Sequence, residues 1–353
     1  MNNYQFDSLK FATEGLTGGG CTIISDVKGL PSFMIPFNKR TNAQLFDGGS
    51  EKTHSAFVVD DVEYKRFFFS KFINCIVDGL AYSWPLVDPK ASINYDASHA
   101  ACNAKGTGWH LASIPERAVI NYLIYKSGFI PRGNTQYGKH HTYTYEVGET
   151  TATEGDGSGG TRTTRTATGS GPATWFHDGT RNGIADYVGD VWKWMSGLRI
   201  YKGEIQIFVG NLAAKQVSHL ATSTYWKAIL PNGSLVEPGT PGTLKYTKDF
   251  KIATDTGAAG STYTANFGNL VAGTGVTTIP EILKELFLAP VSGVTHTGAF
   301  WIDNQDERLP LVSGSYDNTS DAGPSALNLY APRSYVRAYI GFFSAFMELE
   351  SAI

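Results

Sequence analysis

The side chains able to do chemistry are scattered along the chain and not gathered into a motif. His140 and His141 are adjacent, so in a strand they point to opposite faces and make a poor metal pair. Asp178, Asp186 and Asp190 offer carboxylate oxygens of the kind Ca²⁺ takes; as turn formers they are explained equally well. His110 lies between apolar residues in GWHLAS and reads as a hydrogen-bonded core histidine. There is no P-loop, no GxGxxG between a strand and a helix, no GxSxG elbow and no HExxH. Cys21, Cys75 and Cys102 form no CxxC, no zinc spacing and no even disulfide framework. Cys75 and Cys102 sit among apolar neighbours and read as buried thiols. No two carboxylates stand out as an acid–base couple. The sequence assigns no catalytic residue, no metal ligand and no cofactor.

Residues 308–346 carry a different chemistry: RLPLVSGSYDNTSDAGPSALNLYAPRSYVRAYIGFFSAF. Turn formers Gly314, Asn318, Gly323 and Pro332 alternate with Tyr316, Tyr330, Tyr335, Arg337 and Tyr339. Tyrosine brings large contact area at low entropic cost, and Ser and Asn adapt their hydrogen bonds. Tyr and Arg also dominate interface hot spots. That is the palette of a recognition surface. The competing reading is a Tyr-rich face of an ordinary β protein.

The elements that must position these residues are short. In YDASHAACNAKG, Asp96 can accept from free amides at a helix start and Gly106 can close its end. In SIPERAVINYLIYKSG, Ser113 and Glu116 form a capping box, Pro115 fits the first turn and Gly128 stops the helix. Val119, Ile120, Leu123 and Ile124 make its core stripe. Residues 1–90 read as β-rich. Residues 148–171 are Gly- and Thr-rich and read as a long surface loop; Arg162 and Arg165 in it make no anion site. LRIYKGEIQIFVG alternates around a Lys202-Gly203 hairpin, and Trp192 and Trp194 face the same side of a strand. Residues 211–295 read as an insertion with one helix, PEILKELFLAP, beginning at Pro280 and stopped by Pro290.

The chain has 353 residues, 42% hydrophobic and 17% charged, enough apolar material for a sizeable core. Its net charge is 29 − 32 = −3, which excludes a generally cationic nucleic-acid binder and a polybasic membrane signal. No apolar run approaches the roughly 18 residues of a membrane span. The N-terminus has no cationic segment followed by an apolar stretch, so no signal peptide is read.

Four stretches carry a resemblance: TGWHLASIPER at 107–117, PRGNTQYGK at 131–139, TGSGPATWFHDGT at 168–180 and GIADYVGDVWKWMSGLRI at 183–200. They resemble the formylglycine-generating-enzyme subtype of the C-type lectin fold. That family's Gly-Asn-Val-Trp-Glu-Trp hallmark stands here as Gly189 to Trp194, with Asp190 and Lys193 in place of Asn and Glu. The C-terminal segment is similar to the variable region of diversity-generating retroelement proteins. The matching features are Gly314-Ser315, Ala322-Gly323, Ala326 to Leu329, Arg333-Ser334 and Ile340 to Phe342; Phe343 stands where the family carries Arg. ISDVKGLPSFMIPF resembles leaders of similar proteins carried by phages and prophages.

The resemblance implies an α+β chain of C-type lectin fold, formylglycine-generating-enzyme subtype, with short strands, two main helices and long loops. It implies a β-rich region at 1–90, packed on or part of a lectin-like domain at 91–353. The latter would hold the insertion at 211–295 and a variable segment at 308–346. The sites that match diversified positions are Tyr316, Asp317, Asn318, Asp321, Ser325, Tyr330, Tyr335, Arg337 and Tyr339. Between them Leu309, Ala322, Leu327, Leu329, Ile340 and Phe342 match scaffold, so the varied positions are expected to face solvent. The enzyme relatives place catalytic cysteines near the C-terminal end. This chain has none after Cys102, so thiol oxidation by that chemistry is not expected. The implied partner is a protein or other surface molecule of a host or target cell, with no nucleic acid, no membrane insertion and a homo-oligomer open. The implied location is a virion surface or tail, or a cell surface. The alternatives are a cofactor- or metal-dependent enzyme of the same fold and a purely structural virion protein.

Overall fold

The computed structural model describes residues 3–349, a mixed α+β chain with few helices and a curled sheet. Helix α1 (Asn3–Thr17) opens the chain and α2 is the single turn Asn42–Leu45. The β-rich reading of residues 1–90 did not include α1. None of its side chains from 5 to 17 is buried, so it lacks the apolar stripe that marks a packed helix. Helix α3 (Tyr95–Asn103) is capped by Asn94, which accepts from Ala97 N; Asp96 instead pairs with Arg333. Helix α4 (Ile114–Ser127) has the expected cap: Ser113 and Glu116 bond reciprocally and Gly128 turns left-handed at φ 73°. Helix α5 is only Glu281–Glu285, because Phe287 takes φ 53° and turns the chain before Pro290 is reached.

A five-stranded sheet joins the two ends of the chain. Its order is Thr22–Ser25, Pro31–Asn38, Arg66–Ser70, Ser344–Phe346, Trp109–Leu111. A thirteen-stranded sheet holds the remaining large elements. In it Trp192–Trp194 pairs parallel with Ile340–Phe342 and antiparallel with Glu307–Val312. Leu327–Ala331, Phe300–Asp303 and Ser261–Thr264 extend it to one edge. Leu198–Tyr201 and Glu204–Ile207 form the expected hairpin. Lys202 and Gly203, at φ 48° and 81°, give the left-handed pair of a type I′ turn. Residues 211–295 thread six strands into this sheet, and Trp226, Tyr246 and Phe267 share a core with Val119 and Ile120 of α4.

Residues 148–171 behave as a surface loop only in part. Thr153–Gly155 and Thr161–Thr163 form an exposed hairpin, but Thr164, Thr166, Ala167 and Thr168 are buried. Threonine hydroxyls make this possible: Thr168 donates to Trp84 O at 2.7 Å and Thr166 donates to Asp190 at 3.0 Å. Among the described residues no helix is long and apolar enough to cross a membrane.

Candidate recognition surface

The turn after strand Glu307–Val312 is held by backbone geometry. Ser313 and Gly314 take φ 68° and 82°, and a Cβ on Gly314 would lie 2.5 Å from that of Ala322. Asn318 Oδ1 accepts from Ser315 N at 2.8 Å and from its hydroxyl at 2.8 Å; Asp317 accepts from the same hydroxyl at 2.7 Å. Tyr316 N donates to Asp190 O at 3.0 Å, and Tyr316 O accepts from Tyr137 N at 2.7 Å. The ring of Tyr316 is trapped between Tyr137 and Tyr339, with centroids 5.7 and 6.5 Å away. Burial pushes its hydroxyl up to about 12.

Beneath that turn lies a buried charge cluster. Trp192 and Trp194 face the core on one side of their strand; Lys193, on the other, donates from Nζ to Gly189 O at 2.5 Å and Tyr187 O at 3.3 Å, with Asp186 and Asp190 near enough to oppose the fall of its pKa on burial. Asp190 Oδ1 accepts from Asn134 Nδ2 and Thr166 N, both at 2.9 Å; Asp186 accepts from Gly169 N at 2.7 Å. Burial, with Asp190 beside it, pushes the Asp186 carboxyl up to about 7. Asp178 is apart from these two, exposed and bonded to Thr180. Among the described residues no three His, Cys, Asp or Glu side chains gather as metal ligands. His140 and His141 lie outside any strand. Their rings lie 4.3 Å apart, tilted by 32°, and each Nδ1 is engaged, with Thr142 N and Thr135 Oγ1 respectively.

The loop 332–339 supplies two further rings. Arg333 ties its base to Asp96, Glu307 and His219 O. Tyr335 and Tyr339 are half-buried with hydroxyls 3.3 Å apart, and the exposed Arg337 guanidinium lies 4.3 Å from the Tyr335 centroid. Burial and the Tyr335 hydroxyl raise the pKa of Tyr339. At the other end Arg162 lies 3.8 Å over Tyr137 and pairs with Glu154. Arg162, Tyr137, Tyr316, Tyr339, Tyr335 and Arg337 thus form one continuous row with a cation at each end. Arg165 lies inside the surface, paired with Asp88 at 2.8 Å.

Seven of the nine expected positions reach solvent: Asp317, Asn318, Asp321, Tyr330, Tyr335, Arg337 and Tyr339. Two do not. Tyr316 is 3% exposed because Tyr137 and Tyr339 close over it. Ser325 is 0% exposed and bonds Tyr125 OH at 2.6 Å and His296 Nδ1 at 3.0 Å. His296 Nε2 accepts from Val291 N, so Nδ1 carries the proton and donates to Ser325; this pair is not a base and its nucleophile. The scaffold residues Leu309, Ala322, Leu327, Leu329, Ile340 and Phe342 are all buried.

The surface also holds residues that sequence reasoning missed: Tyr137, Arg162, Tyr263 and Trp301. Arg162 sits in a low-complexity stretch that gave no signal. Trp301 gave no signal either: three apolar residues run together in FWID, and only the strand geometry buries Phe300 and Ile302 while leaving Trp301 half-exposed.

No protein-family model matches the chain, and no curated protein matches it. Among solved structures it is similar to the Major Tropism Determinant U1 variant, at 13% identity and TM-score 0.32. The P3c variant gives 14% and 0.32, and the M1 variant 13% and 0.33. The overlap covers 89% of this chain and 62% of the U1 and P3c chains, and 92% and 71% for M1. The chain therefore spans less than two thirds of the length of the first two.

Proposed function

We propose that this chain is a recognition protein of C-type lectin fold. Its C-terminal segment binds a protein or other surface molecule of a host or target cell without covalent chemistry. The observation that carries the reading is the row of four tyrosine rings ended by Arg162 and Arg337, mounted on a fixed β frame. Rigid aromatic side chains bury area with little entropy to lose, and the polar residues beside them add directional contacts. Asp317, Asn318, Asp321, Tyr330, Tyr335, Arg337 and Tyr339 are the contact residues in this reading; Tyr316 and Ser325 support them from below. Retroelement-driven diversification of these positions is part of the proposal, and so is display on a virion or cell surface, where several copies raise avidity.

Two experiments test it. The neighbouring DNA should hold a reverse-transcriptase gene and a near-copy of codons 308–346 that differs mainly at adenines. In adsorption to a panel of intact cells, Tyr330→Ala with Tyr335→Ala and Arg337→Ala should abolish capture while the melting temperature stays close to the parent. Unimpaired capture by the triple variant rejects the surface.

A further inference from the structure

Residues outside the C-terminal segment meet its exposed face. Strand Ser261–Thr264, from the 211–295 stretch, is the edge strand of the display sheet and pairs antiparallel with Phe300–Asp303. Tyr263 stands directly opposite Trp301, and Trp301 stands opposite Asn328. Cross-strand partners share a face, and Tyr330 is two residues from Asn328, so all four side chains share one side of the sheet. Tyr263 is 46% exposed, yet both ends of its side chain are fixed. Its ring lies 5.4 Å from Trp301 and its hydroxyl donates to Asp321 at 3.0 Å. Trp301 in turn meets Trp192 edge to face, 5.2 Å apart and at 87°. Trp301, Tyr335 and Tyr339 all pack at the rim of the same core cluster. Tyr263 lies on the edge strand and Trp301 on the strand beside it; as a cross-strand pair they stabilise the sheet, yet the pair leaves Tyr263 46% exposed with its hydroxyl held on Asp321. An exposed, pre-locked Tyr–Trp pair is what a binding hot spot is made of.

We infer that Tyr263 and Trp301 are ligand-contact residues, a fixed aromatic edge that holds whatever folded protein the C-terminal segment selects. This rests on the recognition reading above and assigns part of the 211–295 stretch to the binding face. In this arrangement the fixed pair supplies affinity common to many ligands, and the loop residues supply specificity.

The test uses the full chain with Asp317, Asn318, Tyr330, Tyr335, Arg337 and Tyr339 randomised, selected against egg-white lysozyme as a defined folded target. Tyr263→Ala, Tyr263→Phe and Trp301→Leu are then placed in several independent binders, with Tyr225→Ala as an exposed control elsewhere. Tyr263→Ala and Trp301→Leu should each weaken binding about tenfold or more in most binders. Tyr263→Phe should lose less, because the stack remains. Affinities within twofold of the parent for both Tyr263→Ala and Trp301→Leu overturn the inference and leave the recognition reading standing. Failure to select any binder overturns the inference, which requires a folded-protein ligand, and leaves the recognition reading to the cell-adsorption test above. Melting curves on each variant separate a lost contact from a lost fold. If Trp301→Leu unfolds, the exposed Tyr263→Ala decides the matter.

Discussion

Arg333 and Glu307 meet as fork and carboxylate, with Nη2 3.1 Å from Oε1 and Nε 3.2 Å from Oε2. Their side chains are 16% and 18% exposed, so solvent screens the pair little. The third Arg333 nitrogen, Nη1, reaches Asp96 on α3 at 2.8 Å. The residue thus pins the start of the loop that carries Tyr335, Arg337 and Tyr339. Arg333→Ala should lower the unfolding free energy by about 2 kcal/mol. Arg333→Lys should lose about half as much, since an ammonium cannot make the fork. Chemical denaturation measures both; a lysine variant as stable as the parent would show that charge alone matters here.

Tyr316 and Tyr335 look alike in sequence and differ in burial. Tyr316→Ala opens a cavity between Tyr137 and Tyr339 and should lose about 3 kcal/mol. Tyr335→Ala removes a half-exposed ring and should lose about 1 kcal/mol or less. Equal losses in paired denaturation curves would contradict this division of the row into support and contact.

What the sequence made legible was local. The capping box of Ser113 and Glu116, the Lys202-Gly203 turn and the common face of Trp192 and Trp194 each depend on residues a few positions apart. The apolar scaffold of the C-terminal segment was read from the resemblance instead, and its six residues are buried. What was not legible depends on distant chain. Tyr316 is buried by Tyr137, and Ser325 by Tyr125 and His296. Strand Ser344–Phe346 lies between Arg66–Ser70 and Trp109–Leu111, a placement that no local pattern encodes. Tyr263 joins the surface only because its strand pairs with Phe300–Asp303.

Gly133 is a second kind of support for the turn. A Cβ there would lie 1.8 Å from Val188 O, and one on Gly189 would lie 2.2 Å from Asn134 O. The two backbones run against each other, and Asp190 N donates to Asn134 O at 2.6 Å. Gly133→Ala must push them apart, for a loss of about 3 kcal/mol or more. Gly155→Ala, on the exposed hairpin with nothing within 4 Å, should change stability by less than about 0.5 kcal/mol. Melting temperatures of the two variants check this; a Gly133→Ala protein as stable as Gly155→Ala would mean that the approach is looser than described.

The histidines under the loop give stability a pH dependence. The His219 and His99 rings lie 3.9 Å apart, tilted by 32°, and His219 Nδ1 bonds Tyr95 OH at 2.9 Å. The charged groups around them are Arg333, which donates to His219 O, and Asp96 and Glu307, both held by Arg333. Burial pulls His99 down to about 4 and holds His219 well below 6.5, with His99 and Arg333 adding to the effect on His219. Between about 6.5 and 4 the unfolded chain therefore binds protons that the folded chain does not. Their stabilisation is complete above about 6.5 and is lost as pH falls, at up to about 1.4 kcal/mol per pH unit for each ring. Asp186, pushed up to about 7, works in the opposite sense, because folded protein takes up its proton first. The informative quantity is thus a difference between proteins. In His219→Asn the amide can stand where Nδ1 stands but does not titrate. Denaturation from pH 7 to 4.5 should show a shallower fall for this variant than for the parent, and parallel curves would rule out His219 as a source of the acid sensitivity.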